Sequence, residues 1–194
     1  MAITTEEKLD SVDDLLSLPE CRGYELIHGK LVERDVGTES NWLAMRIVTL
    51  LGFFLEQKPL GYVVGSETAF VCFPDDPRHA PRPDVAFIRF GRLPGEKLPK
   101  GSCPIAPDLM VEVVSPNDKG EAIQTKIAEF QAVGVPLIWV VYPNTRRIVI
   151  HRLEGSPTVR ISELTEADTI TGEQVIPGFS RPVADFFRVP QPKP

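Results

Sequence analysis

Apolar and polar positions follow two periods along the chain, and together they predict a mixed α/β fold. Apolar residues at helical spacing predict amphipathic helices over about residues 4–18, 40–57 and 118–133. Short apolar runs of strand length lie between and after them, at about 62–73, 85–90, 109–114, 137–142 and 147–151. The expected fold class is therefore α/β (α+β), a mixed β-sheet flanked by helices.

The remaining segments predict connections and short elements. The pair His28-Gly29 separates two apolar-rich arms within residues 24–33 and predicts a β-hairpin. Residues 91–107 are rich in glycine, proline and lysine, which predicts a loop without a core of its own. Further short strands are expected within 157–177, and a last helical turn near 183–187.

Composition and charge limit the domain organisation, the function and the location that can be expected for this chain. The 194 residues contain no domain-sized linker, so we expect one domain over residues 1–194, ending in a disordered proline-rich tail at 188–194. A net charge of −6 argues against a protein that coats nucleic acid, but does not exclude an enzyme that contacts it through a local patch. The separated Cys21, Cys72 and Cys103 indicate reduced thiols and a cytoplasmic location. No apolar run reaches the ~18 residues of a membrane span, so no membrane partner is expected.

One carboxylate lies inside an apolar strand. Glu112 interrupts the run at 109–114, whose composition is typical of a strand covered on both faces. Burying an ionised carboxylate without a partner is strongly unfavourable. Because its sequence neighbours cannot pair with it, Glu112 is expected to meet a cation, a hydrogen-bond donor or a metal ion from elsewhere in the fold.

A lysine lies on the apolar face of the following helix. On a helical wheel of about 100° per residue, Lys126 falls between Phe130 and Val133, where an apolar side chain is expected. Lys126 and Glu112 would then both enter the covered interior, which indicates a site. The alternative is a lysine whose ammonium group extends past the edge of the core to water.

A second carboxylate, Asp84, begins the strand that precedes the strand of Glu112. Adjacent strands can bring the two carboxylates within a few ångströms, and such a pair suits a hard divalent cation such as Mg²⁺. The metal ion would lower the pKa of a bound water and stabilise charge on a phosphate. Lys126 could orient that water or neutralise the developing charge. Phosphodiester hydrolysis requires these groups.

The motifs around these residues resemble the Uma2 family of restriction-endonuclease-like proteins (DUF820) in the PD-(D/E)XK nuclease superfamily. The likeness covers about residues 20–187 and rests on YELIHG, RPDV, PDLMVEVVSP, Lys126, AVGV, WVV and PGF. It implies a restriction-endonuclease-like core, a Mg²⁺ or Mn²⁺ cofactor, DNA as the nucleic-acid partner and a homodimer. Asp84 matches the PD aspartate and Glu112 the (D/E) residue. Glu25 is implied as a further metal ligand.

Two positions depart from the superfamily pattern. Val114 occupies the place of the lysine that follows the glutamate by two positions, and the resemblance implies that Lys126 has taken over its role. Family members often carry a histidine near the start of the second helix, where this chain has Ser40 and Asn41. Two hypotheses remain: a Mg²⁺-dependent endonuclease, or a catalytically inactive binding or assembly module that keeps the nuclease fold.

Other candidates have simpler explanations. Glu25 is alternatively a solvent-facing strand residue. The segment 78–82 contains two arginines and a histidine, and could form a basic lip that contacts a phosphate. His28, His79 and His151 share no metal-ligand spacing, which favours structural or exposed roles for each of them.

Overall fold

The computed structural model describes Leu9 and residues 11–17, 23–34, 37–115, 120–155 and 158–190, and it shows the predicted mixed α/β fold. The elements in chain order are α1 (Val12–Ser17), β1 (Tyr24–Ile27), β2 (Lys30–Glu33), α2 (Thr38–Gln57), β3 (Gly61–Gly65), β4 (Val85–Arg89), β5 (Leu109–Val113), α3 (Gly120–Ala132), β6 (Leu137–Tyr142), β7 (Arg147–Leu153), β8 (Val159–Leu164), β9 (Thr169–Thr171), β10 (Ser180–Pro182) and α4 (Ala184–Phe187).

A six-stranded sheet in the order β3-β4-β5-β6-β7-β8 forms the centre of the fold. The strands β5 and β6 pair in parallel and are connected through α3, whereas all other neighbours in this sheet are antiparallel. Val85 of β4 lies opposite Val111 of β5. The pairs β1–β2 and β9–β10 form two small additional sheets.

The central strands β4, β5 and β6 consist of nearly continuous apolar runs. Because successive strand residues point to opposite faces, both faces of the sheet are apolar there. One face packs against α2, whose buried residues include Leu43, Ile47 and Leu51. The other face, which includes Met110, packs against α3 through Ile127 and Phe130. Glu112 is two residues from Met110, so the pleat directs its side chain toward the side of α3.

The β1–β2 hairpin docks on the segment that precedes β4. Leu26 forms an isolated β-bridge with Ala80, and the N–H of Gly29 donates to the carbonyl of Arg78 at 2.8 Å. The turn residues His28 and Gly29 have φ angles of 51° and 77°, as a tight hairpin turn requires. The hairpin prediction is confirmed, and the docking brings β1 close to α3.

Some predicted boundaries are wrong. The strand expected over 62–73 ends at Gly65, and the chain then turns before Phe70 bridges to Cys103. The segment 91–107 is a loop with one short 3-10 turn at Pro94–Glu96, and its Leu93 and Cys103 are buried in the core beside α3. The predicted helix starts near 4 and 118, as well as tail residues 191–194, lie outside the described residues.

In the part of the chain that the structure describes, no helix combines the length and hydropathy needed to cross a membrane. Cys72 and Cys103 are free thiols, and Cys21 lies outside the described residues.

Candidate functional site

Lys126 brings three elements of the fold together at one ammonium group. Its Nζ lies 3.0 Å from Oε1 of Glu25 on β1 and 3.0 Å from Oε1 of Glu112 on β5. It also donates to the carbonyl of Arg82, before β4, at 2.9 Å. Only 15% of the lysine side chain is exposed, so the alternative of an ammonium group extended to water is wrong. The apolar face of α3 therefore places the ammonium group of Lys126 beside the carboxylates of Glu25 and Glu112.

Asp84 lies immediately before β4 and belongs to the same cluster of side chains. Continuing the antiparallel register by one residue beyond the Val85–Val111 pair places Asp84 opposite Glu112. Its Oδ2 accepts the backbone N–H of Val113 at 2.8 Å, and its Oδ1 accepts from Nη2 of Arg34 at 3.3 Å. Both carboxylate oxygens are therefore held in place, and the structure brings Asp84, Glu112 and Lys126 to one site.

Glu25 is part of this site and is not a solvent-facing strand residue. Its Oε1 accepts the backbone N–H of Arg82 at 2.5 Å in addition to its contact with Lys126. The side chain alternates with that of Leu26, whose burial against Ala80 turns Glu25 toward α3. The implied placement of this glutamate beside the other carboxylates therefore agrees with the structure.

Arg34 is a site residue that the sequence did not reveal. It follows β2 directly, and its guanidinium group donates to the carbonyl of Ser66 at 2.9 Å as well as to Asp84. Its side chain is 9% exposed. Arg34 and Asp84 are 50 positions apart in sequence and meet only in the tertiary fold. No local sequence pattern distinguishes this arginine.

The expected basic lip at 78–82 is not formed as predicted. Arg82 and His79 are each only 1% exposed, and Arg82 lies 3.5 Å from the carboxylate of Glu67. The docked hairpin covers this segment, and only Arg78 of its charged residues keeps a half-exposed side chain. Buried arginine and histidine cannot present a phosphate-binding surface.

The candidate site contains the three carboxyl groups of Glu25, Asp84 and Glu112, whereas Lys126 and Arg34 supply the positive charges in contact with them. Burial raises the pKa of Glu112 to about 8, with Asp84 and Glu25 adding to the increase and Lys126 opposing it. Burial likewise raises the pKa of Asp84 against the effect of Lys126. Burial alone would raise the pKa of Glu25, but Lys126 and the N–H of Arg82 bring it below the ordinary value.

Lys126 remains a cation in these surroundings. Burial would lower the pKa of its ammonium group, but the charges of Glu112, Glu25 and Asp84 raise it above its ordinary value. Lys126 is therefore suited to act as a fixed positive charge and hydrogen-bond donor. It is unsuited to accept a proton near neutral pH.

The donor set fits a hard divalent cation. Lys126 is the charged partner of Oε1 of Glu112, at 3.0 Å, but its ammonium group is shared with Glu25 and with the carbonyl of Arg82. Carboxylate oxygens that converge in excess of the available cations are the ligands that Mg²⁺ and Mn²⁺ prefer. Asp84, Glu112 and Glu25 are the residues that could hold such an ion.

The raised pKa of Glu112 predicts how stability depends on pH. A carboxyl group that binds its proton more tightly when folded stabilises the protein below its unfolded pKa, and this contribution is lost as the pH rises through about 8. Urea unfolding in the presence of a chelator should show a loss of about 1 kcal/mol per pH unit between about pH 6 and pH 8. The Glu112→Gln variant should lack this slope, and an equal slope in both proteins would contradict the assignment.

The chain is similar to known proteins in its sequence and in its fold. The Uma2 family model, described as "Putative restriction endonuclease", matches residues 12–184. The solved structure of a putative nuclease belonging to DUF820, from Anabaena variabilis, is similar with a TM-score of 0.73 and 17% sequence identity. The similarity covers 92% of this chain and 98% of that chain and shows a shared fold. Comparison with curated proteins finds no match.

Proposed function

Because the chain belongs to the Uma2 family, we propose that it is a Mg²⁺- or Mn²⁺-dependent endonuclease that hydrolyses phosphodiester bonds in DNA. The observation that carries the proposal is the contact of Glu25 and Glu112 with one protonated lysine, with Asp84 opposite Glu112. A pair of carboxylates with a neighbouring lysine supplies the ligands and the positive charge that phosphodiester hydrolysis needs.

The proposed metal ligands are Asp84 and Glu112, with Glu25 as a further ligand. A bound Mg²⁺ would supply a water of lowered pKa and positive charge beside the phosphate. The backbone N–H of Val113 and the guanidinium group of Arg34 hold the carboxylate of Asp84 in orientation. Such support from neighbouring groups keeps ligands in a productive geometry.

Lys126 has a role of its own in this proposal. The carbonyl of Arg82 and the carboxylate of Glu25 fix the position of its Nζ. A protonated amine at that place can donate a hydrogen bond to the attacking water or to a phosphate oxygen, and its charge stabilises the negative charge that develops there. Because it keeps its proton, it is a stabilising and orienting group and not the general base.

The alternative function is a catalytically inactive binding or assembly module. It is favoured by the net charge of −6 and by Ser40, which occupies the region where relatives often carry a histidine. The hydroxyl group of Ser40 donates to the carbonyl of Gly37 at 2.9 Å, a local contact at the start of α2. The experiment below separates this module from the enzyme.

Two further expectations belong to the proposal. A homodimer would let each of two sites address one strand of a duplex, as the family resemblance implies. A cytoplasmic location agrees with the free thiols of Cys72 and Cys103.

Calorimetric titration with Mn²⁺ and Mg²⁺ tests the proposal on the wild type and on Glu112→Gln. The wild type should bind metal ion and nick plasmid DNA, and the variant should lose both while remaining folded. At pH 8 and above, where the buried carboxylate ionises, the metal-free variant should be more stable than the metal-free wild type. Glu56→Gln, an exposed glutamate of α2, is the control and should behave as the wild type.

The outcomes separate the hypotheses. Metal binding without nicking by the wild type would indicate a different nucleic-acid substrate or a missing partner. Absence of metal binding in the wild type, with a large loss of stability in Glu112→Gln, would show that the glutamate only pairs with Lys126. That result would leave the inactive module as the explanation.

A further inference from the structure

A second cluster of potential metal ligands lies beside the candidate active site. Nε2 of His28 and Nε2 of His79 each lie 3.1 Å from a different carboxylate oxygen of Glu129. The two imidazole rings stack with their centroids 4.3 Å apart and their planes at 9°. One ligand atom from each of the three residues lies within 4.8 Å of the others. The histidines are therefore not independent of each other, although no sequence spacing relates them.

The two rings present the same nitrogen to the cluster. Nδ1 of His28 lies 2.8 Å from Oδ2 of Asp76, so that nitrogen carries the proton and Nε2 is available as a ligand. His79 is 1% exposed, and its Nδ1 has no hydrogen-bond partner within the described ranges. Among the described residues, the ring of His79 makes its hydrogen bond through Nε2, with Glu129. A carboxylate that orients a histidine through the second ring nitrogen is a common support for metal-binding histidines.

A shared cation would suit the charges around this cluster. The carboxylates of Asp76 and Glu129 face the two imidazole rings. A divalent ion bound by Nε2 of His28, Nε2 of His79 and Glu129 would replace the ring protons that face Glu129 and would place positive charge beside both carboxylates. Because an imidazole binds a metal ion in its own plane, the exposed ring of His28 would turn out of its parallel stack on His79.

The cluster also has room for a further ligand. It lines an open cavity of about 670 Å³ whose wall includes Phe73, Asp75 and Asp76. His28 has a side-chain exposure of 57%, so water reaches the ligand atoms. Three protein ligands and one open position form the arrangement in which proteins bind Zn²⁺ together with a water molecule.

We propose that His28, His79 and Glu129 form a binding site for a borderline divalent ion, of which Zn²⁺ is the best representative. Two imidazole nitrogens and one carboxylate favour Zn²⁺ and similar transition metals over Mg²⁺. Asp76 is a positioning residue that holds the ring of His28. The site is distinct from the all-carboxylate site, and the two differ in the class of metal ion that they select.

Binding at this second site would brace the candidate active site. The hairpin that carries His28 also carries Glu25, and α3 carries both Glu129 and Lys126. His79 lies on the segment that leads to Asp84. A metal ion that joins these three elements would fix the groups that surround Lys126, without itself contacting the nucleic acid.

The test is Zn²⁺ binding by tag-free, metal-free protein, measured by calorimetry, with Co²⁺ absorption as a report on imidazole ligands. Titrations contain excess Mg²⁺ and are repeated in the Glu112→Gln background, so that the carboxylate site does not contribute. We expect one Zn²⁺ per chain. His28→Gln and Glu129→Gln should weaken binding at least about a hundredfold, and Asp76→Asn about 10–100-fold. Glu121→Gln, an exposed glutamate of the same helix, is the matched control.

Thermal unfolding provides a second measurement of Zn²⁺ binding that can still be interpreted if a variant is less stable than the wild type. Zn²⁺ should raise the melting temperature of the wild type, of Glu112→Gln and of Glu121→Gln, but not that of His28→Gln, because only a ligand that binds the folded state stabilises it. Equal Zn²⁺ affinity in His28→Gln and the wild type would overturn the proposal. So would Zn²⁺ binding that disappears in Glu112→Gln, since it would place the ion at the carboxylate site, and so would the absence of any Zn²⁺ binding.

Discussion

Replacing Asp84 with asparagine is expected to reduce metal-dependent nicking of plasmid DNA at least about a thousandfold, because several kcal/mol of charge stabilisation disappear with the bound ion. Asparagine has nearly the same shape, and its amide oxygen can still accept the N–H of Val113. The variant loses the negative charge that pairs with Arg34 and that would bind the metal ion. Single-turnover cleavage as a function of Mn²⁺ concentration measures the effect.

Asp108→Asn is the matched control for this change. Asp108 is also a buried aspartate that accepts a backbone N–H, that of Arg89 at 2.8 Å, and it pairs with the side chains of Arg89 and Arg92. It precedes β5 at the end opposite to Val113, away from Lys126. We expect Asp108→Asn to lower stability and to leave cleavage per folded molecule unchanged. If Asp84→Asn cleaved within a few-fold of the wild type, the assigned role of Asp84 would be wrong.

The core of the candidate site could be predicted because burial makes charged residues conspicuous. Glu112 interrupts an apolar strand, and Lys126 interrupts the apolar face of a helix. The strand pattern and the helix pattern therefore both direct a charged side chain into the interior of the protein. The pleat and the register then place Asp84 beside them. These inferences use only local periodicity and the pairing of neighbouring strands.

Residues that reach the site through tertiary docking could not be predicted in this way. Arg34 meets Asp84 because the hairpin packs on the segment before β4, and nothing in its local sequence requires that packing. The contacts between His28, His79 and Glu129 depend on the same docking. A charged residue on a partly exposed element fits the local sequence pattern whether it faces water or another element. Its contacts are therefore determined only when the elements assemble.

The largest loss of stability is expected from Lys126→Met, about 3–5 kcal/mol at pH 8. Methionine retains much of the packing volume beside Phe130, but it leaves Glu25 and Glu112 without the ammonium group that each contacts at 3.0 Å. The carbonyl of Arg82 also loses its donor. Urea unfolding measures the difference. Lys58→Met is the control, because the exposed Lys58 donates to the carbonyl of Pro177 at 2.9 Å and should change stability by no more than about 0.5 kcal/mol.

The pH dependence separates lost charge from lost packing. Lys126 helps to hold the pKa of Glu25 below 4.5, so its stabilising effect is present above that pH and is lost as the pH falls through the folded pKa. Glu112, with a pKa of about 8, is largely ionised only at higher pH. Without the lysine, both carboxyl groups should bind protons more readily, which relieves the unpaired charge in acid. The difference between the wild type and Lys126→Met should therefore shrink between pH 8 and pH 5. A loss of equal size at both pH values would mean that Lys126 stabilises the protein by packing and not by its charge.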